Sequence, residues 1–282
     1  MSNARVVVVG NEKGGAGKST IAIHLTTALA WQAARVAVID LDLRQQSLGR
    51  FLASRRTWLA ASEAEAPMPG EIRLADEPAK FAAANADGGV ARFEEILAEA
   101  RATADYVVID TPGGHTPLSQ AAHAAADLIV TPMNDSFVDF DLLGSVDPVT
   151  LEVGKPSIYA ETVWEARKAH ALAGGRPIDW VVLRNRLAVT EARNRKRLDE
   201  RIEALSRRVG FRVGPGLRDR VIYRELFPFG LTVADLSPKI RPVAVSLAHV
   251  AARQELRSLM QALHLGEDAA QNLGQPLTAS AA

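Results

Sequence analysis

Residues 10–20 read Gly-Asn-Glu-Lys-Gly-Gly-Ala-Gly-Lys-Ser-Thr and follow the apolar run Val6–Val9. A glycine-rich turn delivered by a strand and entering a helix directs backbone N–H groups at phosphate oxygens, and the helix N-terminus adds partial positive charge. The predicted cradle is Gly14, Gly15, Ala16, Gly17, Lys18, Ser19 and Thr20. Lys18 reaches the β- and γ-phosphates and the Ser19 hydroxyl ligates Mg²⁺, so the implied ligands are ATP and Mg²⁺. One position departs from the usual pattern, which begins with glycine where this chain has Glu12. Lys13 is a second loop lysine, five residues before Lys18. One nucleotide site rarely needs two loop lysines from one chain, so the task left for Lys13 is a neighbour's nucleotide, reached across a homodimer.

Carboxylates supply the rest of the chemistry. The run Val36–Ile39 ends in Asp40-Leu41-Asp42, and Tyr106–Ile109 ends in Asp110-Thr111-Pro112-Gly113-Gly114. Acids at the carboxyl ends of parallel strands stand beside a phosphate loop, where a hard cation needs oxygen. Asp110 is expected to hold Mg²⁺ through water, with Asp40 a second candidate for its shell. Asp42 is expected to orient the attacking water. Taken singly, each aspartate also fits a helix cap or a turn; their convergence on one loop favours the catalytic reading. Thr111–Gly114 reads as a switch that senses the γ-phosphate.

These groups need a doubly wound α/β scaffold, mostly parallel. Periodicity predicts strands at Arg5–Val9, Arg35–Ile39, Tyr106–Ile109, Leu128–Thr131, Trp180–Leu183 and Phe211–Val213. It predicts helices at Lys18–Trp31, Ser47–Ala60, Val90–Thr103, Asp139–Val153, Val163–Ala173, Ala188–Val209 and Val243–Leu263. Ser62–Gly89 reads as a surface insertion. Residues 1–265 are expected to form one domain, and 266–282 a polar, disordered tail.

Composition narrows the classes. There is no cysteine among 282 residues, which excludes disulfides, thiolate metal sites and iron–sulfur ligation. The chain runs almost at once into a strand, so neither a secretory signal nor an added helix-turn-helix unit is expected before Val6. No apolar stretch approaches the ~20 residues of a membrane span, so no membrane partner is expected. The expected location is cytoplasmic.

Formal charge is zero but unevenly spread. From Arg184 to Arg224 thirteen Lys/Arg face five acids. Leu198, Ile202, Leu205 and Val209 form an apolar stripe at helical spacing. Arg197, Arg201 and Arg208 flank it with Arg193 beside them, while Lys196 lies on the far face; Arg218 follows in the same segment. The two readings are a solvated helix face and a DNA phosphate-contacting strip, which would bind nonspecifically and weaken with salt.

Lys-Gly-Gly-Ala-Gly-Lys-Ser, Asp-Leu-Asp and Asp-Thr-Pro-Gly, in this order and spacing, resemble the deviant Walker A ATPases of the ParA/MinD class. Gly10–Thr20, Val38–Gln45, Thr131–Pro148, Val181–Leu198 and Gly214–Leu231 resemble the MipZ family within it, from about Val6 to about Leu265. The resemblance implies slow ATP hydrolysis, an ATP-dependent homodimer and nonspecific DNA binding. It also implies recruitment by a ParB-type centromere protein, inhibition of FtsZ assembly, and a nucleoid-associated and polar distribution. A ParA-type partition ATPase shares every chemical motif. A metabolite-phosphorylating ligase would need a further substrate constellation. Asn185 resembles the class's base-contacting asparagine, and a turn-forming role stands beside that. Pro228 and Phe229 pack either on the base or in the core. Phe137 and Phe140 belong to a partner face or to the core.

Overall fold

The structure is a computed structural model. It describes residues 4–266 apart from 75, 77–80, 82–88, 135–136, 148–152, 188–191, 236, 238 and 243. The predicted tail, and the first residues of the helix expected from Ala188, lie outside the described residues.

Strand β1 (Arg5–Val9) runs through the centre of the molecule. Val6 and Val8 enter one apolar cluster, and Val7 and Val9 enter another on the opposite face. A strand covered on both faces has no polar side to keep, hence the unbroken valines. The chain then turns through the glycine loop into helix α1 (Lys18–Trp31), buried almost all round from Ile21 to Ala30. Strand β2 (Val36–Asp40), helix α2 (Ser47–Ala61) and the two-residue strand β3 (Gly70–Glu71) follow. Next come α3 (Val90–Thr103), β4 (Tyr106–Asp110), α4 (Pro117–Ala124) and β5 (Leu128–Asn134). The second half holds α5 (Phe137–Phe140), the strands β6 (Gly144–Val146) and β7 (Val153–Pro156), α6 (Ile158–Leu172) and β8 (Asp179–Asn185). It continues with α7 (Ala192–Leu205), a π-turn at Ser206–Gly210, β9 (Arg212–Val213), α8 (Ile222–Glu225) and α9 (Leu247–Ala262).

The main sheet has seven strands in the order β3-β2-β4-β1-β5-β8-β9. Every pairing in it is parallel. From β1 the chain crosses to β2 on one side, and β5 and β8 lie on the other. The carboxyl end of β1 is therefore a topological switch point, where a crevice opens between diverging connections. The register sets Val9 level with Asp110, and Asp110 level with Asp40. The loop and two acids thus share one edge of the sheet.

Two expectations are corrected. The helix predicted over Asp139–Val153 is instead the four-residue α5 followed by an antiparallel pair, β6 with β7. Gly144 and the β-branched Val146 break a helical pattern that apolar spacing alone suggests, and residues 148–152 of that prediction lie outside the described residues. Helix α4 has no counterpart among the predicted helices. Its start is nonetheless written in Thr116-Pro117-Leu118-Ser119: the side chains of Thr116 and Ser119 form a reciprocal capping box, with proline in the first turn. The Ser62–Gly89 segment contributes the edge strand β3.

Candidate functional site

The glycine loop is fixed from outside by side chains. Asn11 Nδ2 donates to the Pro132 carbonyl at 2.6 Å, and its Oδ1 accepts from Lys13 N at 2.7 Å. That ties the loop to the end of β5. Gly17 has φ +93°, and a Cβ there would lie 2.1 Å from Asn185 Nδ2, so both conformation and space demand glycine. Lys18 Nζ curls back to donate to the Lys13 carbonyl at 3.1 Å. Burial lowers its pKa, opposed by the nearby Asp110 and Asp42. An open cleft of about 640 Å³ faces this loop. It is lined by Gly14, Gly15, Gly17, Lys18, Ser19 and Thr20, by Asp42, Arg44, Gln45 and Ser47, and by Pro112, Gly113 and Arg186. All of the predicted cradle but Ala16, together with Asp42 and part of the predicted switch, therefore meets in one cleft.

The three aspartates separate by environment. Asp110 is fully buried, and among the described residues neither of its oxygens has a well-aligned hydrogen-bond partner. Burial first and Asp40 second push its carboxyl up to about 8, while Ser19 and Lys18 pull the other way. An orphaned buried carboxylate beside a serine hydroxyl fits a divalent cation, with phosphate oxygens completing the shell. Asp42 lines the cleft, and its Oδ1 accepts from the backbone of Arg44 and Gln45, which sets its direction. Asp40 is held by backbone. Its Oδ2 accepts from Leu48 N and Gly49 N at 3.0 and 3.2 Å, and its Oδ1 from Asp42 N at 3.0 Å. Three backbone donors make it the anchor of the α2 N-terminus and of the Asp42 turn. Burial still pushes it up to about 6.

Lys13 does not line its own cleft. Its ammonium pairs with Asp139 of α5, whose other oxygen accepts from Asn134 N. The lysine side chain is 43% exposed and the aspartate 5%. Sequence alone does not pair the two, because no local pattern links positions 126 residues apart.

Asn185 sits directly beside the phosphate loop. Its Nδ2 donates to the Ala16 carbonyl at 2.9 Å and its Oδ1 accepts from Arg186 N at 2.9 Å, so both ends of the amide brace backbone. Pro228 is exposed in a short 3₁₀ turn and does not line the cleft, whereas Phe229 packs edge-on against Trp58 at 4.8 Å. Phe140 is core, and the side chain of Phe137 lies outside the described part.

The apolar stripe of α7 is buried as expected at Leu198, Ile202, Leu205 and Val209. The side chains of Arg193, Lys196 and Arg197 lie outside the described part. Arg201 is half-buried, Arg208 is exposed on the π-turn, and Arg218 is exposed. The segment's net charge overstates its free charge. Arg184 pairs with Asp199, Arg212 with Asp179, Arg218 and Arg220 with Glu255, and Arg224 with Asp219. Asp179 and Glu255 lie outside the counted segment, so a count over that window misses them.

The family model described as "ATPase MipZ" matches residues 5–267. The chain belongs to the MipZ family. Among curated relatives, the "Chromosome partitioning protein ParA" of Caulobacter vibrioides is 34% identical over 47% of this chain and 57% of its own length. The ParA protein of Myxococcus xanthus is 29% identical over 46% of this chain and 52% of its own. The chain thus spans about half the length of these relatives. The "Chromosome-partitioning ATPase Soj" of Thermus thermophilus is 26% identical over 68% of this chain and 85% of its own. Among solved structures, an ATP complex of McdA from Cyanothece superposes with a TM-score of 0.58 at 18% identity, covering 94% of this chain and 98% of that one. Septum site-determining MinD of Pyrococcus horikoshii, complexed with Mg-ADP, superposes with 0.53 at 17% identity, covering 90% and 94%. The structural likenesses establish the fold that the MipZ family shares with ParA- and MinD-type proteins. Among the described residues no helix is long and apolar enough to cross a membrane.

Proposed function

We propose that this protein is an ATP-driven dimerisation switch that hydrolyses ATP slowly, and that Lys13 serves the nucleotide of a second copy. The observation that carries the reading is the placement of Lys13. It stands outside its own cleft, nearly half exposed, and is held by Asp139 instead of by the loop it belongs to.

ATP sits with its phosphates on the Gly14–Thr20 backbone and Lys18. Ser19, and Asp110 through water, would hold Mg²⁺, which when bound offsets charge on the β- and γ-phosphates. Two chains close with their clefts facing. Lys13 exchanges Asp139 for the other chain's phosphates and there offsets the charge that develops in phosphoryl transfer. Asp42 orients a water whose oxygen attacks the γ-phosphorus. The bond to the β-phosphate oxygen breaks, and ADP and phosphate result. Loss of the γ-phosphate relaxes Thr111–Gly114, and the chains part.

The dimer is the DNA-bound form. Two copies of the basic segment from α7 to Arg218, with Arg193, Lys196, Arg197, Arg201, Arg208 and Arg218 as contacts, double the phosphates neutralised and give affinity without sequence choice. Kinship with the MipZ family supports the further roles. A ParB-type protein recruits the monomer, the ATP dimer restrains FtsZ assembly, and the distribution is nucleoid-associated and polar. The ParA relatives support a second reading, chromosome partition with the same chemistry. Sedimentation of FtsZ polymers with this protein in ATP, compared with ADP, separates the two.

Light scattering tests the shared site. Lys13→Ala is expected to stay monomeric in ATP while still binding nucleotide, and Lys18→Ala to lose nucleotide binding itself. A Lys13→Ala chain that dimerises like the parent contradicts the proposal.

A further inference from the structure

Arg186 belongs to none of the sequence motifs, yet it lines the cleft together with the loop glycines and Lys18. Three observations set it apart from the other arginines nearby. Its φ is +54°, in the left-handed region that non-glycine residues seldom occupy. It is exposed and, among the described residues, its guanidinium has no acidic partner, whereas Arg184, Arg212, Arg218, Arg220 and Arg224 each pair with one. Its backbone N–H is held by Asn185 Oδ1 at 2.9 Å, while the same amide grips the Ala16 carbonyl of the phosphate loop. The strained turn is therefore tied to the loop itself, and strain that the surroundings hold in place is a mark of a working residue.

Sheet order says which end of a nucleotide this cation meets. Asp42 follows β2 and Asp110 ends β4, on one side of β1. Arg186 follows β8, beyond β5 on the other side. With the γ-phosphate at the aspartates, the remainder of the nucleotide extends toward β8. We infer that Arg186 is a nucleotide-binding residue whose guanidinium closes on the α-phosphate end of ATP, with Asn185 as the positioning residue that couples it to the loop. A planar fork of donors suits a phosphate better than a point charge does. The inference rests on the nucleotide reading of the cleft.

The left-handed backbone gives a clean test, because Arg186→Gly removes the side chain and relieves the conformation together. Calorimetric titration of the full chain with Mg²⁺ and either ADP or the slowly hydrolysed analogue ATPγS is paired with thermal melting. The glycine variant is expected to melt no lower than the parent and to bind both nucleotides about tenfold more weakly, the size of one missing charge-assisted hydrogen bond. Arg186→Lys should recover part of that affinity. Equal weakening for the two nucleotides is required, since both carry the α-phosphate. Parent-like affinity in Arg186→Gly, a defect confined to ATPγS, or a defect only in DNA retention at saturating nucleotide would each overturn the assignment. Lys18→Ala is the control for the cleft. If it binds nucleotide normally, the broader reading fails; if it does not and Arg186→Gly does, only this inference fails.

Discussion

On the proposed shared site, a single ion pair separates the resting chain from a competent one. Lys13 would have to leave Asp139 before crossing to another subunit, so the pair would be a small fixed cost on dimerisation. Half-exposed pairs contribute ~0.5–1 kcal/mol, which corresponds to a few-fold shift in an association constant. Asp139→Asn, which keeps the acceptor for Asn134 N but drops the charge, is therefore expected to dimerise in ATP at a few-fold lower protein concentration by light scattering. An unchanged or weaker midpoint would show that Asp139 does not restrain Lys13. Buried histidines give a second prediction at this scale. Burial pushes His24 and His123 down to about 4. The unfolded chain binds their protons near pH 6.5 and the native chain does not, so stability falls as pH drops from about 6.5 to about 4. The decrease is on the order of 3 kcal/mol per histidine. The urea midpoint of His123→Gln should fall less steeply over that window than the parent's; parallel curves would contradict the assignment. The loop, Asp42 and Asp110 are legible in the sequence because backbone amides, lysine and strand-end acids have one common use at such spacing. The work of Asp40 and Asn185 is not, since it is set by which backbone donors and acceptors the fold brings to them.

At the scale of elements, pattern and structure agree where one force decides. The bounds of β1, α1 and α3 follow from apolar runs ended by glycine or by a change of period. They part at α5–β7, where glycine and β-branched residues compete with apolar spacing. Helix α7 carries both outcomes. Its apolar stripe is buried as the period demands, but much of the neighbouring positive charge is neutralised by acids such as Asp179 and Glu255, distant in sequence. The basic residues proposed for DNA are a subset of the segment, drawn from α7, the π-turn and Arg218. Replacing Arg197 and Arg201 by alanine is expected to weaken retention on nonspecific DNA. Its dependence on log salt should flatten by about one for each phosphate that a strip no longer neutralises. ATP binding should be unaffected. Unaltered retention at low salt would remove α7 from the interface.

For the whole molecule, the proposed switch needs the parallel sheet to convert a local event into a change of assembly. Asp40, Asp110 and the loop stand at one edge because β2, β4 and β1 are in register, and the cleft opens at that edge, where the proposed second copy would dock. Fold and family are legible over most of the chain; the dependence of one subunit's chemistry on another's lysine rests on where Lys13 sits. Subunit complementation tests that dependence most directly. Lys13→Ala chains keep Asp42 but offer no crossing cation, and Asp42→Ala chains offer the cation but lack the water-orienting group. Each alone should release almost no phosphate. Mixed before ATP is added, they should form heterodimers in which the Lys13→Ala site has both its own Asp42 and a partner's lysine, so that phosphate release returns to a clear fraction of the parent rate. A mixture as inactive as its components, or a Lys13→Ala protein that turns over ATP unaided, would contradict the account.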